Sequence, residues 1–382
     1  MKPERERTDE PLLLTPGPLT TSRATREAML RDWGSRDEAF LALSERVRKR
    51  LLEIAGAGQE HACVLLQGSG TFALEAAVGT LVPRDGKLLI LANGTYGRRM
   101  ARICERLGRA FALHETPEEQ PLDPAAVAAR LDADATAGHV AVVHCETTSG
   151  VANPLEAIAT AVARSGRRLI VDAMSSFGAL PLSASETPCE AIVASANKCL
   201  EGVPGVAFVI ARQEALRASE GNAASLALDL HDQWSALEAN GQWRFTPPTH
   251  VMAALDHALA EHAAEGGVAG RGARYAASCR RLVGGMRKLG FETLLPDAWQ
   301  APIIVTFHAP EDPRFAFGAF YQGMRRRGFV IYPGKLTRAP SFRIGVIGHL
   351  DEHDVARALE AVAEVVAELG LERCGRAPEG AP

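Results

Sequence analysis

The stretch EAIVASANKCLEGVPGVAFVIAR, residues 190–212, joins two apolar runs through a turn of small and polar residues. Both runs are apolar on their two sides, without the alternation of a strand that has one exposed face. Such strands are typical of a mostly parallel sheet that helices cover on both faces. The stretch therefore predicts an α/β fold, and it places Lys198 directly after a strand of the central sheet.

The alternation of strands and helices continues on both sides of this stretch. Further strands are predicted at 61–67, 87–92, 139–145, 167–173, 301–309, 329–334 and 341–348. Helices are predicted at 71–82, 98–108, 153–166, 249–267, 272–290 and 351–370. We expect an N-terminal arm at 1–15, a large domain at 16–262, a smaller α+β C-terminal domain at 263–370 and a disordered tail at 371–382.

The composition and charge of the chain argue against several classes of function. The net charge of −4 gives no sign of a nucleic-acid or membrane partner, and no apolar run reaches the roughly 18 residues of a membrane helix. The charged N-terminus has no apolar core of a secretory signal, so we expect a cytoplasmic protein. The seven cysteines lack the spacing of disulfide or zinc motifs and are expected to be buried free thiols, with no metal site.

Three features follow predicted strands, at the edge where α/β sheets bind ligands. GSGT (68–71) opens a helix whose backbone N–H groups suit a phosphate, although a plain strand-to-helix turn explains it equally. Asp172 ends a strand, where a carboxylate either meets a cation or caps the next turn. Lys198 is either a nucleophile for carbonyl groups or a surface lysine with a buried stem.

Together the three features predict a site for pyridoxal 5′-phosphate. The lysine would form a Schiff base with the cofactor, the aspartate would pair with the pyridine nitrogen, and the helix N-terminus would hold the phosphate. NAD or ATP would account for the glycine-rich segment but not for the lysine.

The chain resembles the class V, fold-type I aminotransferases over residues 12–370. The motifs that carry the resemblance are LLLTPGPLTTS (12–22), RDWGSRDEAF (31–40), QGSGTFALEA (67–76), NGTYGRRM (93–100), HCETTSG (144–150), VDAMSSFG (171–178), SANKCLEGVPG (195–205), RFTPPTHV (244–251) and FRIGVIGHL (342–350). The resemblance implies a mostly parallel seven-stranded sheet, pyridoxal 5′-phosphate as cofactor, and a homodimer with shared active sites.

The resemblance also implies roles for individual residues. Lys198 would form the Schiff base and shuttle the proton, and Asp172 would bind the pyridine nitrogen. The implied cofactor-binding residues are Ser69, Gly70, Thr71, Tyr96, Thr147, Asp172, Ser195, Asn197, Lys198 and Thr246. Thr148 is the alternative to Thr147, and Tyr96 either stacks on the cofactor ring or is an ordinary core tyrosine. Thr246 would reach the phosphate across the dimer interface.

The resemblance implies a substrate-binding set of Arg343, Gly17, Ser35 and Arg36. A guanidinium group recognises carboxylate and phosphonate alike, so one arginine, Arg343, would serve two anionic substrates in turn. The alternative for Arg343 is a salt bridge on a strand of the small domain.

The segments RDWGSRD and ANKCLEGVPGVAFVIAR favour a subgroup that moves the amino group of an amino phosphonate to pyruvate and forms L-alanine. One alternative is an aminotransferase for alanine or serine with glyoxylate or pyruvate. Another is a non-catalytic protein of this fold, against which the presence of both Lys198 and Asp172 argues.

Overall fold

The computed structural model describes residues 10–336 and 339–375 of the chain. The opening segment contains β1 (Leu12–Leu13), α1 (Arg23–Glu27), a 3-10 turn (Ala28–Leu30) and α2 (Glu38–Ile54). The alternating region contains β2 (His61–Gln67), α3 (Gly70–Leu81), β3 (Lys87–Ala92), α4 (Thr95–Leu107), β4 (Ala110–Glu115), α5 (Pro124–Ala133), β5 (Ala137–Val143), β6 (Cys145–Glu146), β7 (Val151–Ala152), α6 (Leu155–Arg164), β8 (Arg168–Asp172), β9 (Ala191–Ser195) and β10 (Val206–Arg212). The remainder contains α7 (Gln213–Ala218), α8 (Leu230–Asn240), α9 (Thr249–Ala264), α10 (Gly267–Lys288), β11 (Ile304–His308), α11 (Phe317–Arg326), β12 (Phe329–Val330), β13 (Tyr332–Pro333), β14 (Ser341–Gly345) and α12 (Glu352–Glu368).

Seven strands form the central sheet in the order β2-β10-β9-β8-β5-β3-β4. Strand β10 runs antiparallel to both of its neighbours, while the other pairs of the sheet are parallel. All five residues of β9 are buried, as the apolar stretch at 190–212 predicts. Because the other six strands share one direction, their carboxyl ends meet at the same edge of the sheet.

Helices cover both faces of this sheet. Helices α2, α5, α6 and α9 pack on one face, with Val47, Val162 and Leu255 among the buried contacts. Helices α3, α4, α7 and α8 pack on the other face, with Val78 and Met100 among the contacts. Each fully buried aliphatic side chain contributes roughly 1.5–3 kcal/mol relative to an exposed one, so these two layers are the main source of stability.

A second, smaller sheet lies in the C-terminal part. Its order is β11-β14-β13, and helices α10, α11 and α12 pack against it around a separate apolar core. The prediction of one continuous strand at 329–334 is wrong, because this segment forms two short strands that belong to different sheets. Phe329–Val330 pairs with Leu12–Leu13, whereas Tyr332–Pro333 pairs with β14.

Several predicted boundaries shift. The strand expected at 139–145 ends at Val143, and Cys145 instead pairs with Ala152 in a separate two-stranded ribbon. The helix expected at 249–267 ends at Ala264, because Gly266 and Gly267 adopt φ values of 99° and 67°. Helix α10 then begins at Gly267, five residues before the predicted start at 272.

The domain limits stay a prediction, and residues 1–9 of the arm and 376–382 of the tail lie outside the described residues. Leu14, near the end of the predicted arm, is only 2% exposed. The seven cysteines are free and buried, as expected. Within the described ranges, no helix has the length and apolar character that crossing a membrane requires.

Candidate active site

The carboxyl edge of the central sheet brings the predicted polar residues together. The GSGT segment (68–71) follows β2, Tyr96 lies just after β3, and Thr147 follows the β5–β6 region. Asp172 is the last residue of β8, and Lys198 comes three residues after the end of β9. Residues far apart in sequence thus meet at one edge of the sheet, here called the cleft, because parallel strands end on the same side.

Lys198 is held against the N-terminal segment. Its Nζ donates a hydrogen bond to the carbonyl oxygen of Pro16 over 2.6 Å. A Cβ on Gly17 would lie 2.6 Å from the Lys198 Cδ, so the glycine permits this close approach. Burial lowers the pKa of Lys198, while nearby Tyr96 and Asp172 oppose the shift. A larger neutral fraction makes this amine a better nucleophile and base than an exposed lysine.

Asp172 is a buried carboxyl group, with 4% of the residue exposed. Its Oδ1 accepts a hydrogen bond from the backbone N–H of Met174 over 3.0 Å, so the expected turn cap is also present. Burial raises the pKa of Asp172 to about 6, although that hydrogen bond and the charges of Arg99 and Lys198 act in the opposite direction. The folded protein therefore holds a carboxyl group that a further cationic partner would stabilise.

The N-terminus of α3 forms the glycine-rich end of the cleft. Ser69 is the N-cap residue, and among the described residues its side chain makes no capping hydrogen bond. A Cβ on Gly70 would lie 2.1 Å from the sulfur of Met174, so a side chain here would force that methionine to move. The Oγ1 of Thr71 accepts a hydrogen bond from Nη1 of Arg99 over 3.1 Å. This end of the cleft thus combines free backbone donors, hydroxyl groups and a cation.

Ser195 and Asn197 lie beside Lys198 at the end of β9. Ser195 is buried, and Asn197 is half-buried. The carbonyl oxygen of Asn197 also closes the space around Gly17, at 3.0 Å from a Cβ placed there. Both residues therefore lie at the predicted site.

The Thr147–Thr148 pair separates into two different environments. The Thr148 Oγ1 donates to the buried Glu146 carboxylate over 2.5 Å and accepts from the backbone N–H of Thr95. The Thr147 Oγ1 is buried beside the Tyr96 hydroxyl, where it contributes to the lowered pKa of Tyr96. Thr148 already donates and accepts within the protein, whereas the Thr147 hydroxyl keeps bonding capacity next to Tyr96, and this favours Thr147 as the threonine that would contact a ligand.

Glu146 explains why α4 starts earlier than the sequence predicts. Its Oε2 accepts a hydrogen bond from the backbone N–H of Tyr96 over 3.1 Å. A carboxylate at the first turn caps the helix and interacts favourably with its dipole, so the helix begins at Thr95 rather than at Arg98. The cap comes from a residue 50 positions away, which no local pattern reveals.

Arg343 lies on β14 and is only 1% exposed. Its Nε donates to the carbonyl oxygen of Pro333 over 3.0 Å, and its Nη1 donates to that of Thr147 over 2.8 Å. Burial lowers the pKa of Arg343. The alternative of a salt bridge on this strand is not observed, since Arg343 forms no ion pair within 10–336 and 339–375.

Three predicted residues do not join this cluster. Ser35 and the exposed Arg36 lie in the loop before α2, and Thr246 is exposed between α8 and α9. Their side chains form none of the hydrogen bonds found in the described part of the chain. Thr246 was expected to act across a dimer interface, so its position in one subunit does not contradict the expectation.

Sequence reasoning missed two cations that flank Tyr96. The guanidinium carbon of Arg99 lies 4.7 Å from the centroid of the Tyr96 ring. Nζ of Lys335 lies 5.3 Å from the same centroid and 3.5 Å from the Tyr96 hydroxyl oxygen. Arg99 occurs in the quoted NGTYGRRM segment, so the resemblance could have drawn attention to it. No pattern linked Lys335, 239 residues further along, to Tyr96.

A buried ionic network lies behind Lys198 and was also missed. Glu201, three residues after Lys198, has a left-handed φ of 58° and is 2% exposed. Its Oε1 lies 2.6 Å from Nη2 of Arg274 and accepts a hydrogen bond from the Tyr275 hydroxyl over 2.6 Å. Arg271, also buried, donates to the carbonyl oxygen of Cys199 over 2.5 Å. The network thus fixes the loop that carries Lys198 to helix α10.

The donor set fits pyridoxal 5′-phosphate. A phosphate needs the backbone donors, hydroxyl groups and cation that occur at the start of α3. A pyridinium nitrogen needs a buried carboxylate such as Asp172, whose pKa is raised in the absence of such a partner. A ring hydroxyl would meet the Thr147 Oγ1, which lies beside Tyr96. The residues present therefore match the charges and hydrogen-bonding groups of this cofactor.

Comparisons with known proteins show the family of this chain. The model of the family "Aminotransferase class-V" matches residues 22–311. The 2-aminoethylphosphonate–pyruvate transaminase of Pseudomonas fluorescens is 57% identical over 360 residues, which cover 94% of this chain and 98% of that protein. The protein of the same name from Pseudomonas aeruginosa is 57% identical over 359 residues, covering 94% and 97%.

Solved structures share the fold over nearly the whole chain. The crystal structure of pyridoxamine–pyruvate aminotransferase from Mesorhizobium loti has a TM-score of 0.86 and 27% identity, covering 97% of this chain and 95% of that one. The alanine–glyoxylate aminotransferase of Nostoc sp. has a TM-score of 0.87 at 22% identity, covering 96% and 98%. The second likeness shows the fold alone. Both confirm the α/β fold class predicted from the sequence.

Proposed function

The chain belongs to the class-V aminotransferase family, whose members use pyridoxal 5′-phosphate, and from this premise we propose that it transfers the amino group of 2-aminoethylphosphonate to pyruvate. The products are phosphonoacetaldehyde and L-alanine. The substrate assignment is supported by the relatives that carry this name and are 57% identical over 94% of the chain.

We assign the cofactor contacts to the residues at the sheet edge. Ser69, Gly70 and Thr71 would hold the phosphate, with Ser195 and Asn197 beside them, and Arg99 would add its charge. Asp172 would pair with the ring nitrogen, Thr147 would contact the ring hydroxyl, and Tyr96 would lie against the ring. Lys198 would hold the cofactor as a Schiff base.

When bound, the cofactor withdraws electrons from the carbon that bears the amino group and makes its proton removable. Lys198 would take this proton after the amino group of the substrate has displaced its amine from the cofactor, because burial lowers the pKa of that freed amine. The same amine would also be the group that returns the proton. Asp172 maintains the positive charge on the ring nitrogen, because the buried carboxylate is itself stabilised by that charge.

The single observation that carries the substrate class is the state of Arg343. This guanidinium is buried and bonded to two backbone carbonyl oxygens, and it forms no ion pair among the described residues. Keeping an unpaired cation buried is unfavourable, and an anionic ligand relieves it. Its forked donors suit a phosphonate in the donor and a carboxylate in the acceptor, so Arg343 would bind both substrates in turn.

We propose that the enzyme is a homodimer with shared active sites. Thr246 and Phe245 are exposed in a single subunit, with 51% of Phe245 accessible. An exposed aromatic beside a residue with an implied phosphate contact supports a position at a subunit interface. Gly17, Ser35 and Arg36 would complete the substrate pocket. We place the enzyme in the cytoplasm, since free buried cysteines suit a reducing compartment.

An assay of paired substrates tests the proposed function. The cofactor-loaded protein is incubated with 2-aminoethylphosphonate and pyruvate, and L-alanine is measured. A parallel reaction contains L-alanine and glyoxylate, with glycine as the product. We expect kcat/KM to be at least about tenfold higher for the first pair. The reason is that the buried Arg343 guanidinium binds a phosphonate more strongly than a carboxylate. Turnover of the second pair alone would refute the assignment in favour of an alanine–glyoxylate aminotransferase.

A further inference from the structure

Four cationic side chains surround Tyr96 at the carboxyl edge of the sheet. Arg99 and Lys335 lie over its ring at 4.7 and 5.3 Å, and the charge of Lys198 acts on its hydroxyl. Arg343 contacts the backbone of Thr147 in the same region. Within the part of the chain that the structure describes, Arg99, Lys335 and Arg343 form no ion pair with a carboxylate. Two buried acidic groups act on this cluster, Asp172 on Lys198 and Glu146 on Arg343, so the four cations outnumber the acidic groups and leave positive charge for anionic ligands.

The expected ligands account for most of this charge but not all of it. Arg99 is bonded to Thr71 at the start of α3, where the cofactor phosphate is expected. Arg343 is placed for the anionic group of the substrate. This leaves Lys335, which is exposed and has no anionic partner within residues 10–336 and 339–375. A carboxylate carries one negative charge, whereas a phosphonate, like a phosphate monoester, carries up to two near neutral pH.

The backbone joins Lys335 to Arg343. Nε of Arg343 donates to the carbonyl oxygen of Pro333, two residues before Lys335. Tyr332–Pro333 also pairs with Phe342–Arg343 in the small sheet. The Lys335 segment is therefore fixed beside the arginine, while its ammonium group reaches the Tyr96 hydroxyl at 3.5 Å. The positive charge of Lys335 also lowers the pKa of Lys198, which is consistent with a position near the reacting groups.

We propose that Lys335 is the second anion-binding residue of the substrate site and that it selects the phosphonate dianion of the amino donor over a carboxylate. This inference rests on the proposed function, since it names the residue that tells donor from acceptor. Arg343 binds either anion as a fork, and Lys335 neutralises the charge that only the phosphonate carries. The product carboxylate then leaves without having to break this second contact.

Titration calorimetry of the cofactor-loaded enzyme tests the proposal with two unreactive probes of similar length. Ethylphosphonate represents the donor, at a pH above its second pKa so that it is a dianion, and propanoate represents the acceptor. We expect the variant Lys335→Met to bind ethylphosphonate about tenfold more weakly and propanoate within about twofold of the wild type. Lys335→Arg should restore most of the preference because it keeps the charge. Lys288→Met, which removes an exposed lysine at the end of α10, should match the wild type.

The proposal is overturned if Lys335→Met weakens both probes equally, or neither, while Lys288→Met behaves as expected. Circular dichroism and cofactor absorbance of each variant show that folding and cofactor binding are retained. The steady-state assay separates this result from the proposed function. Alanine formation from 2-aminoethylphosphonate with an unchanged probe preference rejects only the role of Lys335. A failure of the wild type to use that donor rejects the proposed function, and the probe ratios still decide whether Lys335 selects dianions.

Discussion

At the scale of single residues, the site depends on a few buried ionisable groups whose charges the protein alone does not balance. Asp172 is 4% exposed and has a raised pKa, and Arg343 is 1% exposed without an ion pair among the described residues. Both arrangements lower the stability of the free protein. They are typical of sites that bind a ligand of opposite charge. Binding of such a ligand removes the unfavourable free energy of the buried unpaired charge and is therefore stronger.

The first prediction concerns Asp172 and pH. Its pKa is raised from 3.8 to about 6 in the folded protein, so the folded state binds more protons than the unfolded state between these values. Stability therefore falls as pH rises through this window, and above it the folded state retains the cost of a buried carboxylate. Asp172→Asn should stabilise the cofactor-free protein by about 1–3 kcal/mol near pH 8 and by nearly nothing near pH 4.

Urea unfolding of the cofactor-free protein at both pH values measures this effect. Asp132→Asn, which changes an exposed carboxylate on α5, serves as the control and should shift neither curve. The cofactor should stabilise the wild type more than Asp172→Asn, because only the wild type has a charge to pair with the ring nitrogen. A variant that is less stable than the wild type near pH 8 would show that Asp172 is already compensated without the cofactor.

At the scale of secondary-structure elements, the loop after β9 is anchored from behind. Glu201 and Glu265 face Arg271 and Arg274, and Arg274 also donates to the carbonyl oxygens of Gly348 and Leu350. The loop, helix α10 and the segment before α12 are thus connected by one set of charges. This rigid support keeps the Lys198 amine in place while its side chain binds and releases ligands.

The second prediction concerns this network. Glu201→Gln leaves the buried Arg271 and the half-buried Arg274 with one carboxylate and should destabilise the protein by about 3 kcal/mol. Because Glu201 lies three residues from Lys198, kcat should fall more than KM rises. The matched control is Glu364→Gln, whose pair with Arg327 is exposed and should contribute about 1 kcal/mol or less. Equal stabilities of the two variants in urea unfolding would exclude the anchoring role.

The buried strands were predictable from the sequence, whereas one edge strand and one helix were missed. The buried strands, with apolar residues on both faces, were located almost to the residue, because burial leaves a continuous apolar run. The edge strand Ala110–Glu115 was missed, since its half-exposed residues give no such run. Helix Glu38–Ile54 was missed even though Asp37 caps it and Phe40, Leu43 and Val47 follow helical spacing, so a closer search for periodicity would have found it.

At the scale of the whole molecule, the sequence predicted which strand ends carry Asp172 and Lys198 but not which side chains from elsewhere meet them. Strand order follows general rules, so the shared edge was foreseeable. The contacts of Tyr96 with Lys335 and of Arg343 with Thr147 join residues 239 and 196 positions apart. Such contacts depend on how the small sheet packs on the large one, which no pattern in a single sequence reports.

The third prediction concerns the shared active site. Lys198→Ala should abolish transamination, and Thr246→Glu should reduce it strongly, since a carboxylate would repel the cofactor phosphate of the other subunit. When the two variants are unfolded, mixed in equal amounts and refolded with cofactor, about one quarter of the wild-type activity should return, because half of the dimers have one intact site. Each variant refolded alone is the control. No recovery from a mixture that sedimentation shows to be dimeric would contradict the shared site.

The most direct test of the central claim is a half-reaction without the amino acceptor. Cofactor-loaded enzyme is mixed with 2-aminoethylphosphonate alone, and phosphonoacetaldehyde is measured. We predict about one equivalent of this aldehyde per subunit, and then about one equivalent of L-alanine when pyruvate is added. Lys198→Ala should release neither product. Continuous release of aldehyde without pyruvate, or no release at all from the wild type, would contradict the assignment of this chain as a transaminase of 2-aminoethylphosphonate.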